Sequence, residues 1–176
     1  MESKNHGIDN TLSPGHRGVK LTVVAVGRGM DPAIAHLTKD YLGRLQRMVP
    51  AELVEVADER RLPGQSGRKA EGMAREAKRI TGKLPDGAMV VPLDSQGTAL
   101  SSLALSQRLG KLMEQGVREI AFIIGGPDGL DPPLLLNRPW TFSLGPMTYP
   151  HMLVRVLLLE QLYRGMSILK GLPYHR

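Results

Sequence analysis

The chain is 176 residues long, enough for one domain with a real core, and its 41% hydrophobic and 23% charged content is ordinary for a soluble globular protein. It has no cysteine, which excludes disulfides, thiolate metal sites and cysteine nucleophiles, and no apolar run reaches the roughly 18 residues of a membrane span. The formal net charge is +6, and between Arg138 and Arg176 five basic residues face the single acid Glu160, a net +4 that fits a polyanionic partner or, equally, a solvated basic surface.

Residues 1–18 are polar, lack periodicity and lack the apolar core of a secretory signal, so they read as a disordered or loosely attached extension ahead of one domain over 19–176. Val19–Val26 (VKLTVVAV) is β-branched and nearly continuously apolar, the pattern of a strand buried on both faces of a parallel sheet. Gly27-Arg28-Gly29 ends it. Asp31 and Pro32 then supply a cap and first turn for a helix to about Gln46, with Ile34, Leu37, Tyr41, Leu42 and Leu45 on one stripe. A second strand is expected at Ala51–Val56, a charged Gly/Pro-rich loop over 58–69, and a surface helix over 70–81.

Ala88–Leu93 reads as a third strand ending in Asp94-Ser95-Gln96-Gly97, followed by an amphipathic helix at 101–115. Glu119–Ile124 (EIAFII) is a fourth strand, and Gly125-Gly126-Pro127-Asp128-Gly129 follows at once. A short segment, 132–137, leads to a fifth strand at 140–144. Strands alternating with helices define an α/β fold with a mostly parallel sheet and helices on both faces.

The last helix is unusual. From Met152 to Leu162 only Arg155, Glu160 and Gln161 are polar, so it is apolar all round and requires cover on every side, some of it expected from beyond its own sheet.

Ligands of parallel sheets bind at the carboxyl ends of strands. Three strand ends here are rich in turn chemistry: 93–97, 125–129 and 144–150. Side by side they would form one pocket. GGPDG lets a ligand approach bare backbone, but is neither a dinucleotide fingerprint nor a P-loop, and a plain chain reversal explains it equally well. His151 and Arg155, four apart, share a helix face as a proton acceptor and an anion clamp, or as local structural groups. Glu160 and Arg164 read as a structural pair. Tyr174-His175-Arg176 would suit base stacking and phosphate binding, although chain ends are more often frayed. No cluster has metal-ligand spacing.

Taken together, FIIGGPDGL at 122–130, SLGPMTYPHMLVRVLLLEQLYRG at 143–165 and PYHR at 173–176 resemble the RlmH (YbeA-like) family of SPOUT-superfamily methyltransferases. VAVG at 24–27 and the Leu93-Asp94 pair are similar too. The resemblance covers about 19–176 and implies a C-terminal trefoil knot, a homodimer and a cytoplasmic location. It also implies S-adenosylmethionine-dependent methylation of N3 of a pseudouridine in large-subunit ribosomal RNA on the assembled ribosome.

The methyl donor would then contact Leu93, Gly125, Leu144, Gly145, Pro146, Met147, Thr148 and Tyr149. His151 would assist proton loss, Arg155 would hold the RNA or steady charge on the base, and Tyr174, His175 and Arg176 would meet substrate. The alternatives are a non-catalytic ribosome- or RNA-binding module of the same fold and a small-molecule enzyme with an incidental basic tail.

Overall fold

A computed structural model describes residues 18–28, 31–59 and 68–175. Most of the 1–18 extension, the middle of the 58–69 loop and Arg176 lie outside the described residues. The elements run β1 (Lys20–Val26), α1 (Pro32–Gln46), β2 (Ala51–Val56), α2 (Lys69–Thr81), β3 (Met89–Ala99), α3 (Ser102–Glu114), β4 (Glu119–Ile124), α4 (Pro132–Leu135), β5 (Phe142–Ser143) and α5 (His151–Leu169). The five strands form one sheet in the order β2-β1-β4-β3-β5, every pair parallel.

Alternation along β1 feeds two cores. Leu21, Val23 and Ala25 face one side with Leu105, Leu109, Phe122, Leu158 and Leu162, while Val24 and Val26 face the other with Ile80, Ile123 and Leu134. Helices α1, α3 and α5 cover the first face, α2 and α4 the second. Helix starts follow the expected chemistry: the Asp31 carboxylate accepts the Ala33 N–H at 2.9 Å ahead of Pro32, and the Ser101 hydroxyl accepts the Ala104 N–H at 3.1 Å.

Two strand boundaries depart from expectation. β3 does not stop at Leu93 but continues through Asp94–Gly97 to Ala99. An irregularity between Leu93 and Thr98 lets both residues pair with Phe142, so the turn-forming residues build a bulge inside the strand. Gly97 is required there, because a Cβ would lie 2.8 Å from the Thr141 carbonyl oxygen. The fifth strand shrinks to Phe142–Ser143, since Trp140 turns into the core and meets the Phe122 ring edge-on at 5.9 Å.

The apolar α5 is covered largely within its own chain. α1 runs beside it, with Tyr41 against Tyr163 and the Lys170 ammonium donating to the Met48 carbonyl at 3.1 Å. α3 flanks the other side. Ser102 donates to the Gln161 side chain at 2.7 Å and Ser106 to the Gly165 carbonyl at 2.9 Å. Small residues let these helices approach closely: a Cβ at Gly110 would lie 3.0 Å from Leu169. With the sheet beneath, three sides are packed and no α5 residue is fully exposed. The expected external cover is therefore needed only over partly exposed positions such as Leu153 and Leu157.

Candidate active site

In register, β1 and β2 both end at Val26 and Val56, beside the end of β4 at Ile124. At this carboxyl edge the three turn-rich segments meet. A cavity of about 530 Å³ is lined by Leu93–Ser95, Ile124–Gly129, Phe142–Gly145, Met147–His151 and Val154. Of the sequence-derived donor contacts, Leu93, Gly125, Leu144, Gly145, Met147, Thr148 and Tyr149 all line it, whereas Pro146 is exposed and does not.

Gly125 cannot be anything else. A Cβ there would lie 2.5 Å from the Gly129 backbone, because the Gly129 N–H donates to the Gly126 carbonyl at 2.9 Å and folds 126–129 back on the strand end. Gly126 is wedged between Val26 and the buried carboxylate of Glu76, whose oxygens would sit 3.0 and 3.2 Å from a Cβ. Glu76 also accepts the Glu59 N–H at 2.9 Å. Burial pushes its carboxyl above the ordinary range.

Three lining residues carry signals that single-sequence reasoning missed. Ser143, buried at 3%, joins two walls by donating to the Ser95 carbonyl at 3.3 Å and accepting the Gly145 N–H at 3.1 Å. Asp94 and Asp128 bring two carboxylates to the lining, and no described Lys or Arg lines it. They sit inside turn motifs, where an aspartate ordinarily serves the local backbone. Asp94 does this too, accepting the Gln96 N–H at 2.8 Å.

His151 opens α5 at the cavity wall, half-buried, with its Nε2 3.4 Å from where a Gly27 Cβ would stand. Burial and then the positive field of Arg155 hold its pKa below the usual histidine value, with Asp58 opposing weakly. It is therefore neutral at pH 7 and able to accept a proton.

Arg155 is placed differently from the expectation of an RNA clamp. Its side chain is 0% exposed and does not line the cavity. The guanidinium donates to Glu55 at 2.5 Å, to the Val26 carbonyl at 2.5 Å and to the Gly27 carbonyl at 2.8 Å. Direct contact with a base or phosphate is closed to it in this arrangement. It pins the start of α5 to the ends of β1 and β2, and so positions His151.

The tail lies elsewhere. The Tyr174 hydroxyl donates to Glu160 at 3.0 Å, its ring meets Tyr163 edge-on at 4.6 Å, and the Arg164 guanidinium stacks over it at 4.6 Å. Arg164 itself pairs with Glu160 at 2.6 Å, as the spacing indicated. His175 is exposed, and Arg176 lies outside the described residues. His151 and Tyr163 are twelve positions apart on α5, a rise of about 18 Å, so Tyr174, seated on Tyr163, is not brought to this cavity.

A cavity at the carboxyl edge of a parallel sheet, walled by a glycine turn and a Gly/Pro loop, defines a small-ligand site of an α/β enzyme. The family described as "Predicted SPOUT methyltransferase" matches residues 19–175, and the chain belongs to this methyltransferase family. Full-length relatives carry the name ribosomal RNA large subunit methyltransferase H. The Roseobacter denitrificans protein is 43% identical over 164 residues, covering 90% of this chain and 99% of that protein. The Bordetella avium protein is 44% identical over 158 residues, with the same coverage. The Magnetococcus marinus protein is 42% identical over 158 residues, covering 89% and 99%.

Proposed function

We propose that this chain transfers a methyl group from S-adenosylmethionine to N3 of a pseudouridine in large-subunit ribosomal RNA, acting as a homodimer on the assembled ribosome in the cytoplasm. The observation that carries the reading is the cavity on which the β3 bulge, the glycine turn after β4 and the loop after β5 converge. At about 530 Å³ it falls within the range of about 300–1,000 Å³ typical of small-molecule pockets.

The residues fit the donor. S-adenosylmethionine is cationic at its sulfonium and ammonium, and the lining brings it the carboxylates of Asp94 and of Asp128, the latter shared with Lys69 at 3.5 Å. Gly125 and Gly126 present bare backbone to the adenosine, while Leu93, Leu144 and Met147 supply apolar walls. When bound, the donor supplies an electrophilic methyl.

The chain's own residues handle the proton. N3–H of pseudouridine is weakly acidic, and its proton must leave as the N3–methyl bond forms and the sulfur–methyl bond breaks. His151, neutral and at the cavity wall, takes it. Arg155 holds the imidazole's helix turn in place and keeps the ring unprotonated. Among the described residues no group of three or more His, Asp or Glu could hold a metal, and the scheme uses none.

The tail's seat near Tyr163, about 18 Å along α5 from the cavity of the same chain, favours its use at the cavity of a partner protomer. The partly exposed Leu153 and Leu157 with exposed Leu37 and Leu103 on the same helix layer give such a partner an apolar face. Threading of the C-terminal segment through a trefoil knot is part of the same reading.

Titration calorimetry with S-adenosylmethionine tests donor binding. The parent chain is expected to bind, and Gly125→Ala to lose binding because the added methyl collides with backbone that has no room to move. No binding by the parent at millimolar ligand sinks the enzyme reading in favour of a non-catalytic module.

A further inference from the structure

In the C-terminal fifth, whose basic excess is the reason for expecting a polyanionic partner, two cations are ion-paired and two more are tied to backbone carbonyls. Arg155 is buried on Glu55, Arg164 is paired with Glu160, Lys170 bonds the Met48 carbonyl, and Arg138 bonds the Leu134 carbonyl at 3.0 Å. A second concentration lies on α2 and its ends. Residues 68–83 hold six basic side chains against two acids, a net +4, and one of those acids is the buried Glu76.

We infer that α2 is the surface along which the substrate RNA backbone leaves the cavity. This rests on the ribosomal RNA reading above and locates its contact. The helix meets the cavity wall along its first two turns. Lys69, with 59% of its side chain exposed, reaches Asp128 of the lining at 3.5 Å, and Glu76 packs under Gly126. Arg75 and Arg79 share the Glu59 carboxylate, and Arg75 also meets Glu71 at 3.7 Å, so the two guanidinium groups are held side by side in one ion-paired cluster. Arg68, Lys78 and Lys83 are exposed beyond them. From Lys69 to Thr81 the helix rises about 18 Å, with Lys83 just past its end, long enough to meet several successive phosphates. α2 covers the sheet face opposite α1, α3 and α5, so a partner docked on that helix layer leaves it open.

The test uses the full chain carrying Arg68→Glu, Lys78→Glu and Lys83→Glu together, none of which lines the cavity. A matched control carries Lys39→Glu, Arg47→Glu and Lys111→Glu on the opposite helix layer, and sedimentation must first show that both variants keep the parent's oligomeric state. Methyl transfer to ribosomes and co-sedimentation with them are measured over a range of salt, with S-adenosylmethionine affinity as the check on folding. The α2 variant is expected to raise KM for ribosomes at least tenfold, and to flatten the salt dependence by roughly 0.7–0.9 in log–log slope per lost phosphate contact. Donor affinity should be unchanged, and the control should shift KM less than threefold. An α2 variant with parental KM and salt slope, or a control with an equal loss, overturns the assignment. If the parent methylates no ribosomes the function above fails instead, and the α2 contact is judged from co-sedimentation alone.

Discussion

At the scale of single residues, His151 and Arg155 divide work that sequence spacing had assigned to a pair. The spacing of four correctly put both on one face of a helix, but burial separates their roles. The imidazole reaches the cavity wall, whereas the guanidinium is fully enclosed by Glu55 and two strand-end carbonyls. His151→Ala should leave the fold and donor affinity intact while lowering methylation by about 10²–10⁴-fold, the usual contribution of a positioned acid or base. Full activity in that variant eliminates it as a participant. The pH profile follows from the same geometry. Burial and the Arg155 charge disfavour the protonated ring, so the acid limb of the kcat profile should fall below the ordinary histidine value of about 6.5. A limb at or above that value contradicts the assignment.

At the scale of elements, α5 is the part whose oddity was most legible and whose explanation was least so. Its apolar residues on every face announced cover on every side. Which neighbours provide it depends on Ser106, Gly110 and Gly165, whose small size allows α3 to lie close, and one sequence does not say where small residues meet across helices. β3 is the converse case. Asp94-Ser95-Gln96-Gly97 carries every sign of a strand end, yet Thr98 and Ala99 recapture pairing with β5 across a bulge. Turn propensity is local, and a long-range partner overrode it.

The convergence of the three turn-rich segments on one cavity followed from the parallel-sheet rule together with the glycines at 125, 126 and 145, although 93–97 proved a bulge within β3 and not its end. Ser143, Asp94 and Asp128 were illegible because their role depends on which walls they join. The clamp between α5 and the sheet also belongs at this scale. Glu55→Ala leaves the Arg155 charge buried and uncompensated, which costs about 3–5 kcal/mol for a buried pair. The lower end is expected here, since Glu55 is itself 32% exposed and the two carbonyls remain. Denaturant unfolding should record the loss, and an unchanged midpoint contradicts the clamp.

At the scale of the whole molecule, the layer of α1, α5 and α3 and the layer of α2 and α4 leave two distinct surfaces, one partly apolar and one cationic. The apolar layer also carries the seat of Tyr174, remote from the cavity of its own chain. Complementation tests whether the tail serves a partner. One chain lacking 173–176 and another carrying Gly125→Ala should each be inactive alone and recover methylation when mixed and allowed to exchange. Only the hybrid then has an intact cavity facing an intact tail. No recovery despite hybrid formation contradicts a shared site.

The central claim is the reaction itself. Its most direct measurement is transfer of labelled methyl from S-adenosylmethionine to ribosomes that lack the modification, followed by mapping of the labelled nucleotide. Label is expected in large-subunit ribosomal RNA, on N3 of a single pseudouridine, dependent on His151. Label on another base, on protein, or none at saturating donor would contradict it.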